Sequence, residues 1–112
     1  MGELTTQDIN GNLNAVLERI RESFHPTQVI LFGSHASGTA GPESDWDLLV
    51  VAPQAPAWKE AYRFRTELAS TFRLKLHLLF ISEEKFRETK DVVGGLAFPA
   101  TRTGVTLYEQ KP

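Results

Sequence analysis

One run constrains this chain more than any other. The segment DWDLLVVAP, residues 45–53, starts polar and then turns apolar on both faces. Side chains alternate across a strand, so a half-solvated strand reads apolar, polar, apolar. A run apolar on both faces predicts a central strand whose first residues reach the edge of the sheet. Upstream, QVILFG, residues 28–33, is β-branched and apolar and stops at glycine, which predicts a buried strand. Downstream, LKLHLLFI, residues 74–81, predicts a third strand.

Helical patterns surround these runs. Ile9, Leu13, Val16, Leu17, Ile20 and Phe24 recur at helical spacing and predict a helix over 7–24, stopped by Pro26. A second helix is expected over 57–72, with Ala61, Tyr62, Leu68, Ala69 and Phe72 toward the core. Ser82 is placed to cap a short helix reaching about residue 89. Pro99 and Gly104 would bound a last helical turn. VTLYE, residues 105–109, reads as a short strand or an extended tail. The chain's 112 residues favour a single domain, 1–112, with no room for a second core. The expected fold is α/β in the α+β sense, with about three strands and helices packed on one face.

Composition removes several function classes. With no cysteine there is no disulfide scaffold, thiolate zinc site or cysteine nucleophile. A net charge of −2 argues against binding polyanions through bulk charge, and there is no strong nucleic-acid signal. Bound phosphate would need a loop, a metal or a few local cations. No apolar run approaches a membrane-spanning length of about 18 residues, so no membrane is expected and the expected compartment is the cytoplasm.

The chemistry-bearing residues flank one loop. Asp45 and Asp47 are two apart at the start of a strand, so their carboxylates share a face, and Trp46 points to the other. Paired carboxylates repel unless a cation lies between them. Mg²⁺ commonly takes one or two carboxylates plus substrate phosphates. Gly33 and Ser34 end the preceding strand. Glycine permits a sharp turn and close approach, and a helical turn beginning there would aim N–H groups at an anion. Gly-Ser alone is an ordinary turn, and Asp-x-Asp alone an ordinary strand entry. Together around one loop they fit phosphoryl or nucleotidyl transfer. A Walker phosphate loop is excluded, because no Gly-Lys-Ser/Thr follows.

The stretch GSHASGTAGPESDWD has Gly-Ser, ten residues, then Asp-x-Asp. It resembles the signature of the DNA polymerase β-type nucleotidyltransferase superfamily, and in particular the minimal nucleotidyltransferase (MNT) proteins of prokaryotes. The resemblance extends from the leading helix to TGVTLYE. It implies a small mixed sheet with helices packed against it. It also implies metal-dependent transfer of a nucleoside monophosphate from a nucleoside triphosphate, with ATP the expected donor, to an acceptor hydroxyl. On this model Gly33 and Ser34 hold the triphosphate, while Asp45 and Asp47 bind Mg²⁺, or Mn²⁺ in its place. MNT proteins are often paired with a HEPN-domain protein, as the antitoxin that adenylylates its partner.

The resemblance is incomplete. The family usually carries a third acid on the later strand, and here the matching position is His77. Arginines often follow Gly-Ser and precede the loop glycine; here those positions hold His35 and Ser37. Alternation puts Lys75, His77 and Leu79 on one face, so His77 takes the face that the family gives to its acid. A neutral imidazole can accept a proton near neutral pH. His77 therefore reads either as an altered base, a catalytic residue beside Asp45 and Asp47, or as the mark of a degenerate member that binds nucleotide or a HEPN-type partner without transfer. Lys75 reads as a solvated strand-end lysine, and Lys59, Arg63 and Arg65 as a basic, solvated helix face. His25 is expected to have no catalytic role. Self-association is left open.

Overall fold

A computed structural model describes residues 6–41, 44–92 and 104–110, with side chains from residue 12 onward. The chain order is α1 (Thr6–Phe24), β1 (Gln28–Phe32), α2 (Ser34–Ser37), β2 (Trp46–Ala52), α3 (Trp58–Phe72), β3 (Leu76–Ser82), α4 (Glu83–Thr89) and β4 (Val105–Glu109). The three expected strands form. Residues 105–109 add a fourth, so the sheet order is β3-β2-β1-β4 rather than a three-stranded sheet. β4 runs antiparallel to β1, with an irregularity between Val29 and Ile30, and Arg21 of α1 lies 4.6 Å from the ring centroid of Tyr108. The turn expected between Pro99 and Gly104 falls outside the described residues, except for Gly104 itself.

β2 is central, as its two apolar faces require. It pairs antiparallel with β1 and parallel with β3. Parallel neighbours need a long crossover, and α3 supplies it. On one face Val29, Leu31, Leu48, Val50, Leu76 and Leu78 pack against Leu13, Val16 and Ile20 of α1 and against Phe64 and Leu68 of α3. On the other, Ile30, Leu49, Val51 and Ile81 pack against Phe86 of α4. The helices are thus not confined to one face: α4 covers part of the second.

Two other expectations need correction. Tyr62 is not in the core; it is 60% exposed, and Phe64 is buried in its place. Two positions on a helix are about 200° apart, so once Phe64 and Leu68 face the sheet, Tyr62 faces away. Residues 34–44 are not loop throughout, because α2 forms one helical turn. Ser82 caps α4 as expected, its hydroxyl accepting from the Lys85 N–H at 3.1 Å. Pro26 follows α1, with His25 before it at φ 48. Among the described residues, no helix is long and apolar enough to cross a membrane.

Candidate active site

The site face is set by strand register. Asp47 and His77 are direct partners in the parallel β2–β3 pair. Partners in register project to the same face, here the face carrying Leu49, Val51, Leu79 and Ile81. The result is a 2.9 Å hydrogen bond between His77 Nδ1 and Asp47 Oδ1. A carboxylate can only accept, so Nδ1 carries the hydrogen. In the neutral ring Nε2 is then the nitrogen with the lone pair.

Gly33 closes the other side of Asp47. Its backbone sits at φ 75 and ψ −155, a region essentially reserved for glycine. A Cβ at Gly33 would stand 2.2 Å from Asp47 Oδ2. Both conformation and space therefore demand glycine. Gly33 turns the chain into α2, where the N–H groups of Ala36 and Ser37 bond back to its carbonyl at 3.1 Å. The N–H groups of Ser34 and His35 lead that turn. The Ser37 hydroxyl donates to the Ser34 carbonyl at 3.2 Å, and Ser44 Oγ accepts from the Gly41 N–H at 2.9 Å.

His35 has a different use from the arginine that often stands in its position. Its ring stacks on Trp46, with centroids 3.6 Å apart and an interplanar angle of 8°. Its Nε2 donates to the Ser44 carbonyl at 3.2 Å. His35 therefore fastens the start of the loop to its end, beside the first residue of β2. Nothing in the sequence pattern points to this contact, since it spans the loop and depends on the path of the chain.

Gly33, Asp47 and His77 thus meet at one end of the sheet, with Ser34 on the adjoining turn. Asp45 is exposed just ahead of β2. Among the described residues, no three His, Asp or Glu side chains converge on a ready-made metal cage. The donors present are two carboxylates two residues apart, which suits a cation completed by substrate phosphates better than one held by protein alone. Beside His77 an open groove of about 390 Å³ runs between α3 and β3.

Residues 13–96 match the model of the nucleotidyltransferase domain. The chain belongs to the nucleotidyltransferase domain family. Among the relatives of this chain is the protein adenylyltransferase MntA of Thermococcus cleftensis, 29% identical over 93 residues, covering 83% of this chain and 94% of that protein. A solved toxin–antitoxin structure with AMP-PNP has a similar fold, with a TM-score of 0.69 at 21% identity, covering 88% of this chain and 73% of that one. The structure of a tri-AMPylated Shewanella oneidensis HEPN toxin in complex with its MNT antitoxin gives a TM-score of 0.64 at 19% identity, covering 90% and 72%.

Proposed function

We propose that this chain is a protein adenylyltransferase, moving AMP from ATP to a hydroxyl of a HEPN-type partner and so acting as an antitoxin. The observation that carries the reading is the meeting of Gly33, Asp47 and His77, from three separate stretches of the chain, at one end of the sheet. The relative named as a protein adenylyltransferase, and the fold shared with an MNT antitoxin bound to a modified HEPN toxin, support the acceptor class.

In the reaction, the acceptor oxygen bonds to the α-phosphorus of ATP. The bond from that phosphorus to the bridging oxygen breaks, and pyrophosphate leaves. His77 takes the acceptor proton at Nε2, and Asp47 holds the imidazole in the required tautomer. Gly33 and Ser34 admit the triphosphate to the backbone. Asp45 and Asp47 would hold Mg²⁺, or Mn²⁺ in its place, which when bound neutralises phosphate charge. A carboxylate has enough lone pairs for Asp47 to serve both the cation and His77. An ATP donor fits a cytoplasmic reaction.

ATP labelled at the α-phosphate, supplied with Mg²⁺ or Mn²⁺ and a HEPN-domain protein from the same genome, is expected to label that protein. Asp47→Asn should abolish labelling while circular dichroism stays unchanged. Nucleotide binding without labelling under either metal would sink the transfer reading. It would leave the second reading, a nucleotide- or partner-binding protein without transfer, which the imidazole in place of a third acid favours; His77→Asp would then be expected to gain transfer.

A further inference from the structure

The groove beside His77 is lined by Pro56, Trp58, Ala61, Tyr62, Arg65 and His77, together with residues 78–80 of β3. Three of its properties point to one kind of occupant. β3 is the terminal strand, and among the described residues no strand pairs with its outer edge. Such an edge presents a row of backbone donors and acceptors to an incoming extended chain. Arg65 reaches the Leu76 carbonyl at 3.5 Å, at the start of that edge.

Large side chains stand open over the groove. Trp58 is 74% exposed and Tyr62 60%. Cations attend both rings: Lys59 Nζ lies 5.8 Å from the Trp58 centroid, and the Arg65 guanidinium 5.3 Å from that of Tyr62. Exposed aromatic and arginine side chains in a concavity are the usual anchors of a binding surface. The lining contains one cation and no carboxylate. The adjoining hollow on α3 adds Lys59 and Arg63 against Glu67 alone. On a chain of net charge −2, this is a local basic patch.

We propose that this groove seats an extended, acidic peptide segment of the acceptor protein, added as a strand along β3, so that its hydroxyl is delivered to His77. The identity of the segment as acceptor rests on the transfer reading; the peptide site itself does not. A peptide fits better than a nucleic acid, because only a peptide backbone can match alternating N–H and C=O groups along the edge. Strand addition also carries the guest past His77, since the side chains on either side of an added strand follow the pleat of β3.

The test uses a short fluorescein-labelled peptide in which Glu alternates with Val around a central Tyr. Its anisotropy is titrated with the whole protein, and Trp fluorescence is followed in parallel. Binding is expected, with a change in emission that Trp58→Phe removes. Arg65→Glu and Tyr62→Ala are each expected to weaken binding by about tenfold or more. N-methylation of alternate peptide nitrogens should abolish it. The thermal melts and ATP binding of both variants should match the parent. No binding, equal binding of a Lys-for-Glu peptide, full binding of the N-methylated peptide, or tighter binding of single-stranded RNA would each overturn the proposal, as would a dimer that buries this groove. Labelling of the HEPN protein that survives Arg65→Glu and Tyr62→Ala unchanged would overturn the acceptor role. Peptide binding without any labelling would instead sink the transfer reading and leave the peptide site standing.

Discussion

The two faces of the sheet use the same strands for different ends. On the face toward α1 and α3, Leu48 and Val50 are wholly buried within one apolar cluster. On the face toward α4, Leu49 and Val51 are as deeply buried, but the row changes character at one end, where Asp47 and His77 stand beside Gly33. A single alternation thus gives β2 an apolar side and a side that ends in the candidate site. One lesson is that burial does not separate the two roles, because position along the strand does. Another is that substitutions one residue apart should fail in different assays.

Leu48→Ala is the largest perturbation of the structural face. It should lower unfolding free energy by about 2–5 kcal/mol in urea titrations, through lost burial and a cavity. Transfer per folded molecule should be unchanged; a selective loss of transfer would erase the contrast between the faces. Gly33→Ala attacks the other face. Its φ of 75 and the clash with Asp47 should cost about 1–3 kcal/mol. The sharper effect should be on calorimetric ATP affinity, which is expected to fall far more than stability alone explains. Wild-type affinity in that variant would show that the close approach to Asp47 serves packing only. Ser82→Ala tests the junction where β3 passes into α4. Loss of its cap should cost about 1 kcal/mol by thermal melting, with no change in ATP binding.

Much of this arrangement was legible in the sequence. The double-sided apolar run placed β2 at the centre, and alternation put Asp47 opposite Trp46. The same rule put His77 on the polar face of its own strand. Their contact was not legible, because it depends on parallel direction and register, and neither leaves a mark in either strand alone. Pairing of residues 105–109 with β1 was hidden for the same reason. Tyr62 and Phe64 were exchanged because two nearby aromatics offer alternative helical stripes, and only packing against the sheet chooses between them. His35 was read as an arginine position standing empty, whereas it is used for a stack on Trp46 that no local pattern encodes.

The Asp47–His77 pair joins residues 30 positions apart through a parallel ladder. Neither residue has its partner until the chain has passed through the whole of α3 and returned. A slip of one residue in that ladder would turn His77 to the opposite side. On the proposed mechanism, competence would therefore report on completed folding: a nascent or misregistered chain, even one with α1, β1 and β2 in place, lacks the pair. Non-local contacts of this kind form slowly relative to local ones. The proposed activity would thus wait until the sheet has closed, and a molecule able to react would already have passed its own quality check.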